Sequence, residues 1–179
     1  MYRYRESLLN VVLVLVLTAW SSLVCSDISR EYELKAAYLL NFARFIYWPQ
    51  NAFEDDPDTF YICVYGINPF GDNLDRMSDK KINKKHVKFV YVADFKYAEN
   101  CHIVYIGQSD KSEYLSLIDT YSRKTVLTVS DIEGFSESGG MIGFVRVKNK
   151  MKFEINVHKS TESGIKYRSQ LLKVAETLR

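Results

Sequence analysis

Four short runs constrain this chain most: Phe60 to Tyr65, Val87 to Val92, His102 to Ile106 and Thr125 to Val129. Their apolar residues are largely consecutive rather than alternating, and they are rich in β-branched and aromatic side chains. Each run therefore reads as a strand covered on both faces. Such strands need helices on both sides of their sheet, and helical segments lie between the runs. Arg30 to Ile46 carries Tyr32, Ala36, Leu39, Leu40, Ala43 and Ile46 at three- and four-residue steps, which predicts an amphipathic helix stopped by Trp48-Pro49. Pro69 to Met77 predicts a brief helix, Asp94 to Asn100 a helical turn, and Ser109 caps a helix running through Leu115, Leu117 and Ile118.

The C-terminal part is patterned differently. Met151, Phe153, Ile155 and Val157 alternate with Lys152, Glu154, Asn156 and His158, which marks a strand with one wet face. A turn at Lys148-Asn149-Lys150 joins this strand to Met141–Val147 as a hairpin, and a three-residue loop sets Val147, Val145 and Met141 opposite Met151, Phe153 and Val157. Thr161 to Leu178 predicts a final helix. The expected fold class is α/β: a mixed, largely parallel sheet flanked by helices, with a C-terminal antiparallel hairpin and a final helix.

The N-terminus addresses the chain rather than shaping it. Arg3 and Arg5 precede an almost unbroken apolar run from Leu8 to Ala19, followed by Ser21 and Ser22, the layout of a secretory signal peptide. The run is short of the roughly 20 residues a membrane-spanning helix needs. The expected division is a leader over residues 1–26, cut somewhere within 21–26, and a single domain over 27–179. Lipoprotein anchoring through Cys25 is disfavoured, because Ser22 stands where that motif normally has leucine. Removing the leader takes Arg3, Arg5 and Glu6 from totals of 24 basic and 22 acidic residues, so the remaining chain is close to neutral. It has no electrostatic reason to seek nucleic acid. The cluster Lys80, Lys81, Lys84, Lys85 and Lys88 lacks interleaved aromatics and reads as a solvated loop.

Catalytic and cofactor signatures are mostly absent from the sequence. Gly66-Ile67-Asn68-Pro69-Phe70-Gly71 has the spacing of a phosphate-binding loop, but Asp72 stands where lysine is required, and a tight turn is the better reading. Gly134-Phe135-Ser136-Glu137-Ser138 imitates a nucleophile elbow, yet it has serine in place of the second glycine and precedes a strand. His86, His102 and His158 share no metal-ligand spacing and read as edge or surface residues. No catalytic, metal or cofactor residue is assigned, and the chain is read as a binder rather than an enzyme. Cys63 and Cys101 are either a disulfide or two separate buried thiols; export favours the bridge.

Taken in order, these segments resemble the YfiR-like family of periplasmic proteins. The resemblance runs through Glu31–Phe45 with Trp48-Pro49, Ile62–Gly66, Cys101–Ile106, Val126–Asp131, Gly139–Phe144, Phe153–Asn156 and Leu171–Ala175, and so spans nearly all of the chain beyond the leader. It implies a periplasmic α/β domain, often dimeric, that restrains an inner-membrane diguanylate cyclase through that enzyme's periplasmic portion and lowers cyclic di-GMP and biofilm formation. Cys63 and Cys101 fall at family cysteine positions, which supports the bridge. A further cysteine pair of some members is absent: Ser136, Ser138 and Gly143 occupy that neighbourhood. The wet-face residues Glu154 and Asn156, together with the final helix, are the candidate partner surface. A periplasmic small-molecule binding protein serving a sensor or transporter is the alternative reading, and a hydrolase the weakest.

Overall fold

The computed structural model describes residues 30–66, 68–94, 98, 100–107, 114–121 and 124–179. The expected leader and the Ser109 cap lie outside the described residues, as does most of the segment between 94 and 100.

Helix α1 covers residues 30–44. The chain then enters β1 (Ile46–Tyr47) instead of continuing the helix. Strands β2 (Thr59–Tyr65), β3 (Lys81–Ile82), β4 (Lys85–Val92) and β5 (Ile103–Ile106) follow. Helix α2 (Tyr114–Tyr121) leads into β6 (Leu127–Ser130), β7 (Ile142–Val147) and β8 (Lys150–Ile155). The chain closes with α3 (Val157–Glu162), β9 (Lys166–Tyr167), α4 (Ser169–Val174) and β10 (Thr177–Leu178).

Among the described residues, eight strands form one sheet in the order β10-β8-β7-β6-β5-β2-β4-β3, and β1 pairs separately with β9. The five central strands from β4 to β7 run parallel, while β7-β8 and β3-β4 are antiparallel. The expected mixed, largely parallel sheet with a late hairpin is what the chain forms. Both faces of the central strands are covered. Phe60, Ile62 and Val64 of β2 join Leu39, Phe42 and Ala43 of α1 in one core, whereas Cys63 and Tyr65 join Leu117, Ile118 and Tyr121 of α2 in the other. Helix α2 buries Tyr114, Leu117, Ile118 and Tyr121, the spacing of a single helix face.

Three local expectations change. Pro69 to Met77 forms two 3-10 turns, Gly71–Asn73 and Asp75–Met77, because Gly71 at φ 54° takes the chain out of the helical region as the first turn begins. The β7-β8 hairpin turns on two residues rather than three: Lys148 (φ 47°) and Asn149 (φ 59°) are both left-handed, as a type I′ turn requires. Val147 therefore faces Lys150, and the apolar cross-strand pairs are Phe144 with Phe153 and Ile142 with Ile155. A one-residue change in loop length moves every pairing.

The third change is the final helix. Thr161 to Leu178 is not one helix but the end of α3, then β9, α4 and β10. Asn156 caps α3, so Val157 begins a helix instead of ending a strand. Gly164 at φ 76° ends that helix, and Ile165 and Leu171 are buried from separate elements. The last residues extend the sheet as β10, parallel to β8.

Candidate functional site

Strand order reverses at β2, since β4 lies on one side of it and β5 on the other. The bridge between Cys63 and Cys101 ties β2 to the residue two before β5, with 5.9 Å between the Cα atoms and a sequence separation of 38. Cys63 is fully buried and Cys101 nearly so. Beside the bridge lies an open groove of about 760 Å³. Its lining combines Tyr61, Cys63 and Val90 of the sheet, an acidic wall of Asn51, Ala52, Asp55 and Asp56, and Lys124, Thr125 and Val126 ahead of β6.

The acidic wall is fixed from below. The Tyr61 hydroxyl donates to Asp56 Oδ2 at 2.8 Å, and the Asp58 N–H to Asp56 Oδ1 at 3.2 Å. Hydrogen bonding, from Tyr61 first, holds the Asp56 carboxyl below the usual carboxylate range, and the same bond raises Tyr61. Asp56 is therefore an ionised, oriented carboxylate facing solvent.

His102 sits beneath that wall and is neither at an edge nor on the surface, in contrast to the expectation from sequence. Its ring stacks against Phe53 (4.5 Å between centroids) and Phe60 (4.6 Å), nearly parallel to both, and those two rings also touch each other at 6.0 Å. The Tyr61 N–H donates to its Nδ1 at 3.0 Å, and the His102 N–H donates back to the Tyr61 carbonyl at 3.0 Å. An accepting Nδ1 places the neutral ring's proton on Nε2, which lies near the Ala52 backbone without a well-directed hydrogen bond. Burial pushes the imidazole pKa down. His86 and His158 are exposed, as expected.

A second polar cluster occupies the C-terminal end of the parallel strands. Lys35 is 2% exposed, and its Nζ contacts Asp131 at 2.5 Å and Glu31 at 2.7 Å. Glu31 also pairs with Arg146 of β7, and the Tyr32 hydroxyl donates to Asp131 at 3.1 Å. Burial, followed by the Asp131 charge, drives Tyr32 and Tyr105 far above the ordinary tyrosine range. Glu31, Tyr32, Lys35, Asp131 and Arg146 bound a pocket of about 220 Å³. Sequence reasoning passed over Lys35, although its spacing from Tyr32 and Leu39 puts it on the apolar face of α1, which was the available signal.

Glu154 and Asn156 both serve internal contacts. Glu154 accepts from Ser136 Oγ at 2.6 Å and lies 3.3 Å from Arg179 Nη2. Asn156 accepts the Lys159 N–H at 3.0 Å and donates to the Ser136 carbonyl at 2.9 Å. Ser136, the serine of the elbow-like segment, is thus buried and bonded to a carboxylate rather than to an imidazole. The phosphate-loop-like segment is a turn in which Asn68 Oδ1 accepts the Phe70 N–H at 2.9 Å. Among the described residues, no group of His, Cys, Asp or Glu is placed to hold a metal, and no helix is long and apolar enough to cross a membrane.

The fold and the groove define a class: a disulfide-tied mixed α/β domain with a broad, open, polar-walled surface beside the bridge. A family model described as YfiR/HmsC-like matches residues 32–176, and the chain belongs to that family. Membership implies regulation of a diguanylate cyclase, and the family is one of periplasmic regulators rather than catalysts. No curated protein matches the chain.

Proposed function

We propose that this protein is exported, loses its leader, and binds the periplasmic portion of an inner-membrane diguanylate cyclase so as to repress it. Cyclic di-GMP and biofilm formation then fall while the protein is bound. The observation that carries this reading is the family match over residues 32–176. A bridge between two buried cysteines fits an oxidising compartment. The protein acts by binding and not by catalysis. The groove beside the bridge is the contact surface in this reading. Glu154 and Asn156 contribute by holding Ser136, Arg179 and α3 in place along the β8-β10 edge.

The test is cellular cyclic di-GMP with the gene deleted and then restored. A rise on deletion that restoration reverses is the expected result; an unchanged level overturns repression of a cyclase. Sedimentation of the purified domain tests the dimer that the family resemblance implies. A second reading, a periplasmic small-molecule binder, is favoured by one observation: the groove's volume of about 760 Å³ lies within the usual span of ligand sites. A thermal shift with small polar metabolites, absent with the cyclase segment, would select it.

A further inference from the structure

The segment carrying the acidic wall of the groove is held down at three places. Phe53 stacks on His102. Lys85 of β4 lies 4.1 Å from the centre of the Phe53 ring and bonds to the Pro57 carbonyl. Asp56 accepts from the Tyr61 hydroxyl. Of these, only the His102 contact contains a group whose ordinary pKa lies near neutrality.

We propose that His102 is a proton-sensitive latch that holds the 50–58 segment over the Cys63–Cys101 bridge and so sets access to the groove. Neutral His102 accepts the Tyr61 N–H through Nδ1. A protonated ring carries N–H donors on both nitrogens, so Nδ1 and the Tyr61 N–H would then oppose each other. The new charge would also sit buried in an aromatic cluster. The charged groups facing it are Lys85 on β4, which opposes it, and Asp56 on the 50–58 segment, which favours it. Contact with the faces of Phe53 and Phe60 favours an imidazolium. Burial outweighs these favourable terms and keeps the folded-state pKa below the usual value. A proton is therefore taken up more readily when Phe53 and the 50–58 segment lift away. Stability from this latch is complete above about pH 6.5, the unfolded value, and is lost as pH falls through the lower folded value. Opening uncovers Cys101, the neighbour of His102, and moves Asn51, Ala52, Asp55 and Asp56 out of the groove wall. The latch bears on regulation only if the groove is the contact surface proposed above.

Trp48 reports the latch, because its ring centre is 5.9 Å from that of His102. The chain has two tryptophans, so in a Trp20→Phe background Trp48 is the sole tryptophan, with or without the leader, and is excited selectively on the long-wavelength side of tyrosine absorption. Its fluorescence, titrated from pH 7.5 to 4.5, should show one inflection below pH 6.5. His102→Gln, which keeps an acceptor but does not titrate, should be flat, while His86→Gln and His158→Gln retain the inflection. Reduction of the bridge by a phosphine should accelerate by up to about tenfold per pH unit in the parent and not in His102→Gln. A flat parent titration, or the same inflection in His102→Gln, overturns the latch. Should His102→Gln fail to fold, the ring-proton NMR titration of His102 in the parent decides: a midpoint at or above 6.5 overturns it. Binding of the cyclase's periplasmic segment over the same pH range separates the two proposals. A Trp48 transition with unchanged binding keeps the latch and removes the groove as contact surface. A flat Trp48 signal removes the latch whatever the partner does.

Discussion

At Gly143, a Cβ added to the backbone would stand 3.6 Å from the Ser136 Cβ, within the separation that disulfides span. This chain has no cysteine at either position, and Ser136 instead donates to Glu154, which in turn meets Arg179. A polar clamp thus holds the 131–141 segment to β8, where a covalent one would tie it to β7. The double variant Ser136→Cys/Gly143→Cys should oxidise spontaneously, as shown by loss of two free thiols in denaturant. It should raise the urea midpoint only when oxidised. Persistent free thiols would mean that the two backbones do not approach as described. The absence of cysteine at Ser136 and Gly143 was legible from sequence, but the clamp that replaces the bridge was not. Glu154 is 18 residues from Ser136 and alternates with apolar neighbours like any wet-face residue. Only the packing of the loop against β8 turns it inward.

Helix α1 shows what periodicity conveys about an element and what it omits. Its apolar stripe predicted the helix and its buried face. The same face carries Lys35, whose ammonium reaches Asp131 across 96 residues of sequence. No pattern within one helix announces a partner that follows another strand. Truncating one member of a buried ion pair leaves the other charge without compensation. Lys35→Met should therefore destabilise the domain by about 3–5 kcal/mol, measured by urea unfolding. A loss below about 1 kcal/mol, the scale of a solvent-exposed pair, would mean that solvent reaches Asp131 and that the cluster does not anchor α1. The C-terminal segment makes the opposite point. Its apolar residues read as helical over Thr161 to Leu178, yet Gly164 ends α3, and the backbone beyond α4 completes the sheet edge beside β8. Hydrogen bonding to an open edge outweighed helix periodicity there.

For the molecule as a whole, the Cys63–Cys101 bridge closes the chain around the β2-β4-β5 centre of the sheet, where the strand order reverses. On the chain-entropy model a loop of this length contributes about 4 kcal/mol, with measured bridges usually nearer 2–4. Cys63→Ser/Cys101→Ser should lower stability by that amount, read as a shift in urea midpoint, and reductant should shift the parent but not the variant. An unshifted midpoint would mean that the bridge ties parts of the chain already held by the sheet.

By itself the sequence determined the layered architecture. Strands apolar at consecutive positions must be covered on both faces, and the alternating last strand must have one face in water; both are consequences of local chemistry. It also placed Cys63 within one buried strand and Cys101 just before another, without showing that the two strands pair or that the cysteines join. Tertiary structure alone decided the hairpin register, the division of the last segment, the burial of Lys35 and the burial of His102 among aromatic rings. The register follows from the two-residue turn at Lys148-Asn149, and the physical reason is common to the other three. Each depends on which distant groups meet: Tyr61 with His102 across 41 residues, Lys35 with Asp131 across 96, and β10 with β8 along an edge that exists only once the sheet has formed.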